Sequence, residues 1–297
     1  MWAGFQSLTI QRDGVTLFAR QGGPLDSGRP PLLLLHGHPQ TMAMWHRVAP
    51  VLARTRRVVL MDLRGYGDSD RPLAGEGSAA YAKREMALDA MALMQSLGHG
   101  RFDVLAHDRG ARVAHRLALD HPQAVARLLL LDIAPTLAMY EGTTETFSRA
   151  YWHWFFLIQP APLPERLIHA DPLAYLRDGM GRRGGAFFAP EAWTEYERCI
   201  ARPGTAAAIC ADYRASAGID LDHDRSDRAA GRRVVQPLRV LWGANGVVGR
   251  CFAPLKLWQS AADNVSGRAV DSGHYIAEEA PDVVLAEAAE FFDKDDK

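Results

Sequence analysis

The chain has 297 residues, 48% of them hydrophobic, and a formal net charge of -1. That is enough apolar material for one large core, and too balanced a charge to draw nucleic acid or an anionic membrane surface by electrostatics. No apolar run reaches the length that spans a bilayer and no basic-then-apolar segment opens the chain, so the expectation is a cytoplasmic protein without membrane contact. Cys199, Cys210 and Cys251 are odd in number and widely spaced, which points to plain core residues in a reducing compartment and to no disulfide or metal.

In chain order, residues 7–11 and 15–20 alternate about Asp13-Gly14 and predict a hairpin at a sheet edge. Pro31-Leu32-Leu33-Leu34-Leu35 is apolar without alternation, as in a strand covered on both faces. It ends at His36-Gly37-His38-Pro39, where a functional loop is expected. Helical spacing over 41–53 precedes a second buried strand, Arg57-Val58-Val59-Leu60-Met61, which runs into the glycine-rich Asp62-Leu63-Arg64-Gly65-Tyr66-Gly67. A helix over 81–97 stops at Gly98. The strand opening at Phe102 then turns through Ala106-His107-Asp108-Arg109-Gly110 into a helix that reaches about His121. Small residues at Ala106 and Gly110 allow a sharp turn with Asp108 at its apex. A further strand over 127–133 is followed by a change of pattern.

Strand and helix alternate regularly up to this point, which predicts an α/β fold: a mostly parallel sheet with helices on both faces and its chemistry at the carboxyl ends of the strands. Residues 135–233 instead read as helices rich in Trp, Tyr and Phe, broken by Pro160-Ala161-Pro162-Leu163-Pro164. They are expected to form a helical cap inserted into a core domain made of residues 1–134 and 234–297. The sheet resumes at Leu238-Arg239-Val240-Leu241-Trp242 and near Arg268-Ala269-Val270, followed by Ser272-Gly273-His274. A helix over 282–292 and a frayed tail over 293–297 close the chain.

Asp108, Asp132 and His274 fall at the ends of successive predicted strands, in the nucleophile, acid, histidine order of the α/β-hydrolase fold. A carboxylate nucleophile sets the reaction class, because it attacks amides poorly but can displace a leaving group from an sp³ carbon and form an ester. His274 would activate water against that ester. Backbone N–H groups of His38 and Arg109 would hold the free oxygen of Asp108. The second acid position of the fold reads Gly243-Ala244-Asn245-Gly246, without a carboxylate, so Asp132 is the better partner for His274. Arg109 and Arg112, three positions apart on the first turn of the helix, can aim at one space and suit a substrate carboxylate; the opposing reading pairs them with structural acids such as Asp103. In Tyr151-Trp152-His153-Trp154-Phe155-Phe156 most rings are expected in the core, yet His153 and Trp154, with Tyr213, offer donors for a departing anion. His115 and His121 need no functional role.

These residues resemble the fluoroacetate (haloacetate) dehalogenases. The resemblance covers nearly the whole chain through His36-Gly37-His38-Pro39-Gln40-Thr41 with Met44-Trp45, Asp62-Leu63-Arg64-Gly65-Tyr66-Gly67, His107-Asp108-Arg109-Gly110, Asp132-Ile133, Trp152-His153-Trp154, Gln159-Pro160-Ala161-Pro162, Asp212-Tyr213-Arg214-Ala215 and Ser272-Gly273-His274. It implies that Asp108 attacks the α-carbon of a haloacetate, that His274 backed by Asp132 directs water to the ester, and that glycolate is released. It further implies that Arg109 and Arg112 bind the substrate carboxylate, that His153, Trp154 and Tyr213 cradle the halide, and that the protein is a homodimer needing no cofactor.

The chain departs from the pattern at His38, where an aromatic is usual, at Ala106 in place of glycine, and at Tyr275 in place of Phe. Near 176–186, where relatives often carry a tryptophan, it is glycine-rich. An epoxide hydrolase is the neighbouring reading, with a tyrosine pair drawn from Tyr151, Tyr175, Tyr196 and Tyr213. The carboxylate-seeking Arg109 and Arg112, and Asn245 where those enzymes usually keep the acid, weigh against it. A haloalkane dehalogenase would more often carry Trp at position 109. A receptor that merely binds a small carboxylate has no need of Asp108, Asp132 and His274 together.

Overall fold

The computed structural model describes residues 1–180 and 186–293. The last five residues of the glycine-rich stretch at 178–185, and the tail beyond Asp293, lie outside them. β1 (Phe5–Arg12) and β2 (Val15–Gly22) pair antiparallel across Asp13-Gly14, whose φ angles of 50° and 78° are those of a tight hairpin turn. β3 (Leu32–Leu35) is buried along its whole length, as an unalternating leucine run requires.

The helix expected over 41–53 is not continuous. Met42–Trp45 forms one 3₁₀ turn, capped by Thr41 Oγ1 accepting from the Ala43 N–H at 3.1 Å, and α1 (Ala49–Leu52) forms a separate α-helical turn. Pro50 supplies the reason: it has no N–H to donate to the His46 carbonyl, so the helical ladder cannot run through.

β4 (Val58–Met61), α2 (Lys83–Ser96), β5 (Phe102–His107), α3 (Asp108–Asp120) and β6 (Val125–Leu131) follow as alternating units. After β6 come eight helices in succession among the described residues: α4 (Thr136–Glu141), α5 (Glu145–Ala150), α6 (Trp152–Leu157), α7 (Leu163–Ala170), α8 (Pro172–Met180), α9 (Pro190–Ile200), α10 (Thr205–Ala217) and α11 (Ile219–Ala229). The sheet returns with β7 (Leu238–Gly243). Two helices that the sequence reading does not assign, α12 (Val247–Cys251) and α13 (Pro254–Ala261), lead to β8 (Val265–Val270), α14 (Ile276–Glu279) and α15 (Pro281–Phe292).

The eight strands form one sheet in the order β1-β2-β4-β3-β5-β6-β7-β8, in which β2 runs antiparallel to both β1 and β4 and every pair from β4 through β3 to β8 is parallel. This is the α/β-hydrolase fold. Its centre, β3, β5 and β6, carries the leucine-rich core, and the carboxyl ends of these strands converge on the loops that hold Asp108, Asp132 and His274. Among the described residues no helix is long and apolar enough to cross a membrane.

Candidate active site

β5 hands Asp108 to α3 through a backbone turn that few side chains tolerate. Asp108 sits at φ 45°, in the left-handed region that disfavours a non-glycine residue. Two glycines make room for it. A Cβ on Gly37 would fall 2.4 Å from Asp108 Cβ, and one on Gly110 would fall 2.4 Å from the His36 carbonyl oxygen. The His36–His38 loop can therefore close over the elbow, and the His38 N–H donates to Asp108 Oδ1 at 2.8 Å. The second donor expected from sequence, the Arg109 amide, makes no such bond to Asp108. His36 fixes the loop from behind. Its Nδ1–H meets the Gly37 carbonyl at 3.0 Å and its Nε2 accepts the Leu63 N–H at 3.0 Å.

Asp132 follows β6, also at positive φ (51°), and both of its oxygens are committed. Oδ1 accepts the Gly243 N–H at 2.9 Å and Oδ2 accepts the His274 Nδ1–H at 2.6 Å. That bond fixes the tautomer of His274 and leaves Nε2 facing Asp108 Oδ2 at 4.0 Å, a separation too long for a direct hydrogen bond. The loop carrying His274 is pinned where it leaves the sheet: His107 Nε2–H donates to the His274 carbonyl at 2.9 Å, and Glu279 accepts the N–H groups of Gly273 and Tyr275 at 2.6 and 2.8 Å.

Electrostatics assign unequal states to the pair. Burial opposes ionisation of Asp108, but His274, His107, Arg109 and Arg112 outweigh it and hold the carboxyl below the usual carboxylate range. Burial likewise opposes the charged form of His274. The Asp132 hydrogen bond, with the charges of Asp132, Asp108 and Glu279, overcomes it and raises the imidazole. The resting site thus holds an ionised carboxylate beside a histidine whose affinity for a proton depends partly on that carboxylate.

Asp108 and His274 open on a cavity of about 510 Å³ whose other walls include His38, His153, Tyr151, Tyr175 and Tyr213. Burial pushes His38 down to about 3 and His153 down to about 4, so both rings are neutral in the physiological range. His38 Nε2 and the Tyr175 hydroxyl are hydrogen-bonded at 3.0 Å. Trp154 is not on the cavity wall. It lies one layer back, 1% exposed, and its indole Nε1–H is buried without a partner. Tyr196 is turned away altogether and donates to Glu278, which also accepts from Gln40 at 2.8 Å. Of the four tyrosines considered for an epoxide-type pair, the cavity therefore brings Tyr151, Tyr175 and Tyr213 together and leaves Tyr196 out.

The two arginines do not share one space. Arg109 forks onto Asp212: Nε donates to Oδ2 at 2.9 Å and Nη2 to Oδ1 at 2.7 Å, with Ser216 Oγ and the Asp212 carbonyl also accepting from Nη2. The opposing sequence reading named an acid partner, but Asp103 is not it; Asp103 pairs with Arg56. Arg112 points toward α4, where its acceptors are neutral: the Ala134 carbonyl, Thr136 Oγ1 at 2.8 Å and Met139 Sδ. Its Nε is buried and unpartnered. Each guanidinium lies over an aromatic ring, Arg109 over Tyr213 at 4.2 Å and Arg112 over Trp154 at 4.8 Å. Neither lines the cavity.

Asp212, beside Tyr213 in one of the motifs above, carries no sequence signal of this pairing. Asp212 also bonds Lys83 Nζ and accepts the Tyr66 hydroxyl at 2.7 Å. Nor does the sequence mark Glu278, whose carboxyl burial pushes up to about 7 against the pull of Tyr196, Arg47 and Gln40. His115 packs edge-on against Trp258 at 4.9 Å, a packing role. Among the described residues no group of three or more His, Cys, Asp or Glu side chains is arranged to hold a metal ion.

Comparison with known proteins places this geometry in context. A sequence profile of the alpha/beta hydrolase fold matches residues 30–168. The chain is 42% identical to a fluoroacetate dehalogenase of Burkholderia sp over 285 residues, 95% of this chain and 92% of that protein. It is 34% identical to a soluble epoxide hydrolase of Corynebacterium sp. (strain C12), over 88% of this chain and 90% of the relative. A crystal structure of an alpha/beta hydrolase from Nostoc sp PCC 7120 superimposes with a TM-score of 0.94 at 46% identity, covering 98% of this chain and 99% of that one.

Proposed function

Because this chain belongs to the haloacetate dehalogenase family of the α/β-hydrolase superfamily and is a hydrolase, we propose that it hydrolyses the carbon–halogen bond of a small 2-haloacid, fluoroacetate among them. The observation that carries the reading is Asp108 held by the His38 N–H, with His274 Nε2 4.0 Å from its free oxygen and Asp132 behind. Asp108 Oδ2 attacks the α-carbon, the carbon–halogen bond breaks, and the halide leaves with the bonding pair. His274 Nε2 then takes a proton from water, and the hydroxide adds to Cγ of Asp108. The oxyanion that forms is held by the His38 N–H; as it collapses the Cγ–Oδ2 bond breaks, the proton on His274 passes to the departing alkoxide, and glycolate leaves while the new carboxyl of Asp108 gives up its proton to solvent and returns to the carboxylate. No cofactor enters, since Asp108 supplies the electron pair and water the oxygen.

Trapping the ester tests this directly. His274→Asn keeps a polar side chain beside Asp132 but cannot activate water, so incubation with fluoroacetate or chloroacetate should leave one carboxymethyl group on Asp108, read by intact mass and peptide mapping. The epoxide hydrolase reading has an observation of its own, since the hydroxyl-bearing rings of Tyr151, Tyr175 and Tyr213 share the cavity with Asp108. An adduct formed with styrene oxide and with neither haloacetate would establish it instead.

A pH dependence follows from the coupling between Asp108 and His274. Esterification removes the Asp108 charge, one of the influences that raise His274, so the imidazole of the ester intermediate loses its proton at lower pH than that of the resting enzyme. Ester hydrolysis needs the neutral form. The acidic limb of kcat should therefore rise with pH and lie below the His274 titration followed by NMR in the resting protein. A limb at or above that titration would argue against His274 acting as base on an Asp108 ester.

A further inference from the structure

One buried carboxyl near the site takes no part in the chemistry above. Glu278 stands four residues after His274, and its Oε1 accepts from Gln40 Nε2 at 2.8 Å and from the Tyr196 hydroxyl. Gln40 Nε2 also donates to the Tyr196 oxygen at 3.1 Å. All three side chains are wholly buried, and Glu278 Oε2 has no partner, so the carboxyl is held through Oε1 alone. The network joins three segments: Gln40 lies two residues after His38, Tyr196 is on α9, and Glu278 is on α14. Arg47 fastens the same corner, its Nη1 donating to the Glu278 carbonyl at 3.0 Å. The loop is therefore tied at both ends. At one, the His38 N–H meets Asp108 Oδ1 at 2.8 Å; at the other, Gln40 meets Glu278. The residue between them is Pro39, whose ring fixes its φ, so a shift at Gln40 is passed on to His38 rather than absorbed.

The two chemical steps make opposite demands on the His38 N–H. When Asp108 attacks through Oδ2, the charge on Oδ1 falls, because a carboxylate becomes the carbonyl of an ester. When the ester is hydrolysed, the charge on Oδ1 rises to that of a full oxyanion. A donor fixed at Oδ1 therefore speeds hydrolysis and gives no help to ester formation. We propose that Glu278, acting through Gln40, is a positioning residue for the His38 N–H that serves hydrolysis of the Asp108 ester rather than its formation. The inference rests on the Asp108 ester of the dehalogenase reading, and an ester formed from an epoxide would obey it equally.

Glu278→Ala and Gln40→Ala each remove the anchor from one side, so either serves should the other not fold. Glu278→Gln keeps a carbonyl oxygen for both donors. Each variant is mixed with saturating chloroacetate or fluoroacetate and quenched in steady state, and the ratio of esterified to free Asp108 is read by intact mass over the folded fraction given by circular dichroism. That ratio equals the rate of ester formation divided by the rate of hydrolysis. It should rise about tenfold in either alanine variant, less than the effect of removing an oxyanion donor outright because the N–H is displaced rather than lost. In Glu278→Gln it should stay near the wild-type value. An unchanged ratio with a lower kcat in the alanine variants would mean that both steps suffer alike, and would overturn the proposal in favour of a purely structural network. A ratio raised as much in Glu278→Gln as in Glu278→Ala would also overturn it, since the bonds to Oε1 would then not be what positions the loop. Wild-type protein that releases neither halide would overturn the dehalogenase reading alone, and the same ratio would then be read with styrene oxide.

Discussion

Asp108→Ala should abolish halide release from haloacetates, lowering kcat on the order of 10⁴- to 10⁶-fold, the range seen when a nucleophile is removed from an otherwise intact hydrolase site. The size of the loss follows from the chemistry. His274 has no route to displace fluoride from carbon on its own, because without an ester there is no acyl carbon for its activated water to attack. Asp108→Asn separates this loss from a loss of structure. Its side-chain oxygen can still accept the His38 N–H that Asp108 Oδ1 accepts at 2.8 Å, so thermal stability should remain close to wild type while turnover is lost. Fluoride-electrode and chloride assays run beside a melting curve check both halves. Residual turnover within tenfold of wild type in Asp108→Ala would mean that water attacks the α-carbon directly and that the elbow carboxylate is not the nucleophile.

The elements that carry this argument differ in how visible they are in the sequence. Asp108 and Asp132 are legible because each follows a short apolar run, and local composition marks a buried strand and its end; His274 follows a mostly exposed strand and is marked instead by its place after the last strand, in Ser272-Gly273-His274. The elbow is legible for the same kind of reason, since the small residues at 106 and 110 are needed within a few positions of the strained residue. What happens at Arg109 is not legible. Its partner Asp212 lies 103 residues away, on α10, and periodicity reports only on neighbours in the chain. A spacing of three on one helix face correctly puts Arg109 and Arg112 side by side on α3. It says nothing about the side-chain torsions that send one toward α10 and the other toward α4.

The Gln40, Tyr196 and Glu278 network is hidden for the same reason, being assembled from three distant segments. The broken helix at 41–53 is a different kind of miss. Pro50 is visible in the sequence, but the apolar spacing around it is one that two separate turns satisfy as well as one helix.

Asp212→Ala should have the largest effect on stability of any single change near the site. Asp212 is wholly buried and neutralises two cations, Arg109 and Lys83, that are themselves 1% and 4% exposed. Removing one member of a buried ionic network strands the others, at a cost of roughly 3–5 kcal/mol. For a chain of this length that corresponds to a melting temperature lower by about 5–8 °C. Asp212→Asn, which keeps the shape and an acceptor oxygen but not the charge, should fall between the alanine variant and wild type.

The sign of the pH dependence follows from the Asp212 carboxyl. Burial opposes its ionisation, but Arg109 and Lys83 prevail and hold it below the ordinary value of 3.8. The unfolded chain then binds a proton that the folded chain refuses, so this contribution is fully present above about pH 4 and is lost as the pH falls further. The gap in stability between wild type and Asp212→Ala should accordingly be widest near neutrality and narrow in acid, as measured by urea denaturation at each pH. An alanine variant as stable as wild type at pH 7 would mean that Arg109 and Lys83 find other partners. The position of Arg109 over Tyr213 would then be held by the ring and the α3 backbone rather than by the ion pair.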